Sequence, residues 1–238
     1  ASNLVLADIN GDPDVFVRDC MLGTTEIVSL STNATRGNGI SEVPSISADG
    51  RYVAFQSNAD NLVPGDTNGV YDVFVHDRHG GVTSRVSVRT DNAQSNGTSY
   101  SATLSANGRY VAFSSEATNL IPGDTNSQTD VYLRDRRDDT TERVSVATDG
   151  AQANGSSRET SVSGDGRFVA FKSNAPNLVT GGTSGLQVFL RDRQDLTTEV
   201  VSHATNGQLA NGNCELAMVS QSGRYVAFKS AATNLVPG

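Results

Sequence analysis

Asp66, Asn68 and Asp72 stand at relative positions 1, 3 and 7 of one loop, and Asp124, Asn126 and Asp130 repeat that spacing. Asp8, Asn10 and Asp14 give it a third time, with Asp12 between them. Calcium is a hard cation that takes roughly six to eight oxygen ligands, and alternating Asp and Asn in a glycine-containing loop can supply several together with backbone carbonyls. The closing glutamate of an EF-hand loop is missing, which excludes that motif. The competing reading is that Asp and Asn fold back on their own backbone as Asx turns and shape the loop without any ion. One more copy, "TGGTSGLQ", carries Gly182, Ser184 and Gln187 at the three positions. A copy that folds without the acids makes no ion obligatory there. Calcium and the structural turn therefore both stand, with calcium as the one cofactor the sequence suggests.

Other chemistry is thinly represented. The three histidines are His76, His79 and His203; none sits where strands would converge, and none comes with a serine and aspartate set to make a triad. Paired-carboxylate hydrolysis is harder to dismiss, because Asp and Glu abound and can converge across a channel. Asp19, Asp77, Asp135 and Asp192 sit in "RDC", "HDR", "RDR" and "RDR". An acid needed four times serves a turn better than a single catalytic centre.

The composition narrows the partners. The chain has 238 residues and a net charge of −8, and only Lys172 and Lys229 are lysines. Nucleic-acid affinity rests on Lys and Arg neutralising phosphates, so a nucleic-acid partner is excluded as an expectation. No apolar run approaches the roughly 18 residues of a membrane helix, so no membrane insertion is expected. Two cysteines, Cys20 and Cys214, make no disulfide framework and no zinc motif.

What positions these residues is a repeat. Asn-Leu-(Val/Ile) begins at Asn3, Asn61, Asn119, Asn177 and Asn234, with spacings of 58, 58, 58 and 57. Gly-Arg-(Tyr/Phe)-Val-Ala-Phe runs in register with it, starting at Gly50, Gly108, Gly166 and Gly223. Each repeat holds four strand signals, in the second copy "YSATLS", "RYVAFSS", "DVYLRDR" and "TERVSV", divided by turn residues. Four antiparallel strands per repeat is the plan of a propeller blade. Labelled A to D from the axis outward, the strands put the long B–C and D–A loops on one face and the tight A–B and C–D turns on the other. The aspartate loops thus share a face with the Asn-Gly loops, where function concentrates.

"SADGRYVAFQS" followed by "DVFVHDR" resembles the repeat of TolB-type β-propellers. Family blades carry Ser-Pro-Asp-Gly-(Lys/Arg)-x-(Ile/Val)-Ala-Phe; here Ala48, Ala106, Gly164 and Gln221 replace the proline, and the acid survives as Asp49 and Asp165. The resemblance covers essentially the whole chain and implies the fold. It also implies a place outside the cytoplasm, extracellular or periplasmic. Relatives of this fold serve protein docking, substrate gating and lyase chemistry, so it does not imply one activity.

The expected architecture is all-β, a single four-bladed β-propeller over residues 1–238. Repeat boundaries fall near 42–88, 100–146 and 158–202, and residues 215–230 with residues 1–30 make the last blade. In that blade N-terminal strands C and D close on C-terminal strands A and B, which removes exposed edges. The rival is half of an eight-bladed ring, so monomer and homodimer are both open. Cys20 and Cys214 fall on opposite faces of the composite blade, beyond the ~7 Å reach of a disulfide, and are expected as free thiols. Counting four residues past each repeated Asn gives Glu42, Tyr100, Arg158 and Glu215, expected around the channel mouth as ligand-binding residues. Four-fold geometry would set Glu42 opposite Arg158 and Tyr100 opposite Glu215. The leading functional expectation is a non-catalytic binding module taking a protein, peptide or glycan on the long-loop face. The alternatives are a hydrolase or lyase with carboxylates at the mouth, and a structural spacer in a larger array.

Overall fold

Runs such as Val53-Ala54-Phe55 have no polar side to offer water, so they are stable only with packing on both faces of a strand. A computed structural model describes residues 11–236 and shows how that packing is met. The first complete blade is β3 (Ser41–Ile46), β4 (Tyr52–Ser57), β5 (Asp72–Asp77) and β6 (Val82–Arg85), in that order across the sheet. The second is β7 (Ser99–Leu104), β8 (Tyr110–Ser115), β9 (Asp130–Asp135) and β10 (Thr140–Arg143). The third is β11 (Ser157–Val162), β12 (Phe168–Ser173), β13 (Gln187–Asp192) and β14 (Thr197–Val200). All neighbours are antiparallel. Two half-blades flank them: β1 (Phe16–Asp19) with β2 (Thr24–Ile27), and β15 (Cys214–Val219) with β16 (Val226–Ser230). Among the described residues one turn of 3-10 helix, Pro176–Leu178, is the only helix, and no helix is long and apolar enough to cross a membrane.

The core lies between blades. Phe55, Phe113 and Phe171 are fully buried on B strands and stack on Phe74, Tyr132 and Phe189 of the neighbouring C strands, with centroids 5.8 to 5.9 Å apart. Each buried ring contributes roughly 1.5–3 kcal/mol from removal of apolar surface. Leu104 and Ala102 of one blade pack on Ala54 and Val75 of the blade before it, and Val162 on Ala112 in the same way. At the short-turn face Tyr52 lies against Gly108, Tyr110 against Gly166 and Phe168 against Gly223. A Cβ on any of these glycines would come within 2.3 Å of the ring. Each also has a positive φ, so glycine is required twice over. Backbone bonds from Ala48 N to Ala106 O, Ala106 N to Gly164 O and Gly164 N to Gln221 O tie successive A–B turns together.

The strand inventory matches four blades, but the expected composite blade is not one sheet. β1–β2 and β15–β16 remain separate two-stranded sheets, and among the described residues no hydrogen bond joins β16 to β1. The loss shows in exposure. Tyr225 is 62% exposed, whereas its counterparts Tyr52, Tyr110 and Phe168 cover a glycine. Ile46 is 50% exposed, against 7% for Leu104 and 6% for Val162. The physical reason is that a repeat fixes how one blade sits on the next, while closure depends on how many such steps complete a turn.

Candidate functional site

The B–C loops show what their acids do. Asp72 is fully buried; its Oδ1 accepts from Ser87 Oγ at 2.5 Å and Ser95 Oγ at 2.9 Å, and its Oδ2 from Asn68 Nδ2 at 2.9 Å. Gln94 Nε2 donates to Asp66 at 2.8 Å and to Asp72 at 3.3 Å. Arg85 Nη1 stands 3.2 Å from Asp66 and 3.4 Å from Asp72, so a guanidinium lies between the two carboxylates. Asn68 Oδ1 accepts from Val70 N, which is an Asx turn.

The second blade repeats the arrangement with two changes: Ala153 replaces the donor Ser95, and Tyr132 replaces Phe74. Asp130 takes Ser145, Asn126 and Gln152, and Asp124 takes Gln152 and the Tyr132 hydroxyl. Arg143 lies 3.5 Å from Asp124 and 3.4 Å from Asp130. Burial raises the carboxyl pKa of Asp66 and of Asp130 above the ordinary range, with the neighbouring acid adding to the rise in each. An arginine and a glutamine hold the two acids in each loop, although Arg85 Nε and Arg143 Nε and Nη2 are buried without a hydrogen-bond partner among the described residues. The acids do not fit a calcium site as they stand, since a cation already fills the space between them. Among the described residues no group of three or more His, Cys, Asp or Glu side chains is placed to share a metal ion. In the first half-blade Ser29 Oγ donates to Asp14 at 2.5 Å; Asp8 and Asn10 lie outside the described residues.

The short-turn face uses the repeated acids differently. Asp77, Asp135 and Asp192 do accept backbone hydrogen bonds in their turns, as expected, but each also holds an arginine bidentately. The pairs are Arg51–Asp77, Arg109–Asp135 and Arg167–Asp192 at 2.5 to 2.7 Å. The Arg167 bond is the main reason that Asp192 titrates at about 2. Burial works against Asp135, and Arg109 overcomes it to leave that group also at about 2. His76 is buried against Thr83 Oγ1 and lowered by that burial, and His203 Nδ1 lies 2.9 Å from its neighbour Ala204 O. The one hydroxyl beside a histidine among these contacts, Thr83 Oγ1, is buried and donates to the Leu30 carbonyl. Both cysteines are free thiols, Cys20 exposed and Cys214 buried beside Ser230.

The inner strands hold a feature the sequence reading passed over. Each A strand breaks register against its B strand, between Glu42 and Ser45, Tyr100 and Thr103, Arg158 and Ser161, and Glu215 and Met218. Inside each bulge one non-glycine residue is left-handed: Val43 at φ 52°, Ser101 at 53°, Glu159 at 56° and Leu216 at 55°. For β-branched Val43 that is a costly conformation. These four residues, with the next two of β3, β7 and β15 and the next one of β11, line one cavity of about 390 Å³ on the axis, shared by all four A strands and mostly apolar.

The expected mouth residues stand one position before the bulges, outside that lining. Glu42 accepts from Gln56 Nε2 at 3.0 Å, and Glu215 lies 3.4 Å from Lys229. Arg158 donates to Ser156 Oγ at 2.6 Å, and Tyr100 is paired in register with Ser114. No hydrogen bond or ion pair between Glu42 and Arg158, or between Tyr100 and Glu215, occurs among the described residues. Glu159 is the one carboxylate in the cavity, held by Lys172 Nζ at 2.5 Å and by Leu216 N at 3.2 Å. A signal for the bulge was present: Pro44 lies inside β3, and proline enters an inner strand chiefly at a bulge.

Comparison with known proteins gives a likeness of fold. No protein-family model matches the chain, and no curated protein sequence matches it. Among solved structures, the putative TolB from Agrobacterium tumefaciens superposes with a TM-score of 0.55 at 16% identity, over 94% of this chain and 68% of that one. An oligogalacturonate lyase in complex with manganese gives 0.54 at 12% identity, over 89% of this chain and 51% of that one. Hydrazine synthase from Kuenenia stuttgartiensis gives 0.52 at 12%, over 93% and 32%. The chain thus spans about two thirds of the first, about half of the second and about a third of the last. It has the TolB-like β-propeller fold.

Proposed function

We propose that this propeller is a binding module that takes an apolar side chain of a protein or peptide partner into the axial cavity. One observation carries the reading: four equivalent bulges aim four different residues at a shared, mostly apolar space. Ring-building positions are alike in every blade, whereas Val43, Ser101, Glu159 and Leu216 differ in size and polarity, as recognition requires. No aromatic ring lines the cavity, which disfavours a sugar. Glu159 alone among the lining residues is acidic and is already ion-paired, so the two-carboxylate hydrolase or lyase lacks its second acid. The resemblance to TolB-type propellers supports a place outside the cytoplasm, which cell fractionation checks. For the aspartate loops we propose a structural role with arginine as the counter-charge.

The test is selection of binding peptides from a display library, read against two variants. Leu216→Asp at the cavity should abolish binding of an apolar-anchored peptide, and Leu22→Asp, an exposed residue of a C–D turn, should leave it intact. Equal loss in both, or in neither, removes the cavity from consideration.

We further propose that β16 and β1 pair as B and C strands do elsewhere, completing the fourth blade. The register copied from β4 and β5 sets Phe228 opposite Phe16 and Tyr225 opposite Asp19. Arg224, which now stacks on Tyr225, would then reach the Asp19 carboxylate as Arg51 reaches Asp77. Closure within one chain gives a sedimentation mass of one chain, and exchange between two copies gives two. In both cases Arg224→Glu should destabilise the closed form and Asp19→Arg in the same protein should restore it. A double variant no better than the single one overturns the pairing.

A further inference from the structure

Two clefts on the short-turn face occupy the same place in successive blade interfaces and differ in charge. The one between the second and third blades is lined by Tyr110, Asp165, Arg167, Arg193 and Gln194. Arg193 Nε there donates to Glu142 of the blade before, and Arg167 is bound to Asp192 and Asp195. Every guanidinium has its acid.

The cleft between the first and second blades, about 360 Å³, is lined by Tyr52, Asn107, Gly108, Arg109, Arg136 and Arg137. Arg109 is satisfied by Asp135 and Asp138. Arg136 matches Arg193, but where Glu142 stands the preceding blade has Ser84, and no ion pair forms among the described residues. Arg78, one interface earlier, also keeps its acid, Glu26. Arg136 is left with the Gly108 carbonyl at 2.7 Å and the Tyr52 ring, its carbon 4.6 Å from the centroid. Two more changes run the same way: Asn107 replaces Asp165, and Arg137, exposed and without an ion pair among the described residues, replaces Gln194. Three differences thus each shift the cleft by one positive unit, in a protein of net charge −8.

We propose that this cleft binds an oxyanion, a carboxylate or phosphate group of a small ligand, between the Arg136 and Arg137 guanidiniums with the Asn107 amide as a further donor. A half-buried guanidinium without its acid keeps free donors in a planar fork, which suits an anion with two or more oxygens. Tyr52, packed on Gly108, supplies one wall of the cleft. The site is independent of the axial cavity, being on the opposite side of the strands from the long loops.

The probes are inorganic phosphate and citrate, each titrated into the protein while the side-chain Nε–H signals of arginine and the Asn107 amide are followed by NMR. Arg136 and Asn107 should shift saturably and Arg193 should not, with phosphate against citrate deciding which oxyanion is preferred. Ser84→Glu restores the acid that the other interfaces carry, and should weaken binding roughly tenfold or more, the worth of one charge-assisted hydrogen bond. Glu142→Ser with Asp165→Asn and Gln194→Arg should create a second site at the next interface. Equal response of Arg136 and Arg193, or an unchanged affinity in Ser84→Glu, overturns the proposal. Because Glu at this strand position is present in the neighbouring blades, that variant tests charge without testing folding.

Discussion

The B–C loops of the first and third blades solve one problem in two ways. In residues 61–72 a pair of buried acids is balanced by Arg85 and Gln94. In residues 177–187 the same positions carry Gly182 and Gln187, and the distant partners have changed with them: Val200 stands at the arginine position and Leu209 at the glutamine position. Gln187 closes its own hydrogen bonds, accepting from Ser202 Oγ at 2.6 Å and donating to Ser184 O and Ala210 O. Acids and arginine are therefore lost together. The first half-blade agrees at the level of sequence, with Ile27 at the arginine position and Arg36 at the glutamine position, so its Asp-rich loop still comes with one arginine. What travels with the acids is a guanidinium, which identifies the counter-charge.

The largest expected effect comes from breaking one version without building the other. Arg85→Ala leaves Asp66 and Asp72 buried without their cation, and losing one partner of a buried pair costs about 3–5 kcal/mol. For a chain of this size that lowers the melting temperature by roughly 10 °C. Replacing residues 61–72 by residues 177–187, together with Arg85→Val and Gln94→Leu, should be roughly neutral, because a buried ion pair exchanged for well-packed neutral groups often is. If the exchanged protein melts as low as Arg85→Ala, the two loops are not equivalent solutions.

Acid sharpens the contrast between these loops and the short-turn face. Asp77, Asp135 and Asp192 are held below the ordinary value by their arginines and turn amides, so their stabilisation is complete above about pH 4. It is lost as the pH falls toward 2, where Asp135 and Asp192 titrate. Asp66 and Asp130 have the opposite sign: a raised carboxyl pKa means the folded state holds the proton more firmly, so their contribution grows as the pH falls toward the ordinary value. Melting temperature measured from pH 6 to pH 2 should fall less steeply in Asp192→Asn, and more steeply in Asp130→Asn, than in the parent chain. Parallel curves for all three would show that these groups do not govern the acid response.

Much of the fold was legible because it is written in short range. Gly50-Arg51-Tyr52-Val53-Ala54-Phe55 carries a turn, a strand and a core face within six residues, and it recurs. Free cysteines and the blade order followed from the same register. The partners of the aspartates were harder to see, since Arg85 and Gln94 lie 13 and 22 residues past Asp72, on another strand and the following loop. The local 1, 3, 7 spacing therefore pointed to an ion while the actual counter-charge lay out of its reach. Arg51 and Asp77 were both visible as repeated residues, but only the β4–β5 register makes them a pair. The residues expected at the mouth stand one position before the bulge in each inner strand, and a count from the repeated asparagines carries no sign of that bulge.

The smallest expected effect is that of calcium itself. A stabilising ion at micromolar affinity, supplied at millimolar concentration, would add about 4 kcal/mol by mass action. On this chain that is a melting shift of roughly 8–16 °C, which thermal denaturation resolves easily. The loops of the first two blades already place an arginine between the acids they would need to offer, and calcium would have to displace it and draw ligands in to about 2.4 Å. The expected result is therefore no change in melting temperature with calcium or with chelator. Arg85→Val makes the experiment decisive. With the guanidinium gone, Asp66, Asn68 and Asp72 retain the spacing of a cation loop, and a calcium-dependent rise confined to that variant would show that arginine holds the place an ion could take. A rise of the same size in the parent chain would show the reverse, that the ion enters despite the arginine, and the loops of the first and third blades would then differ in metal binding and not merely in how they balance charge.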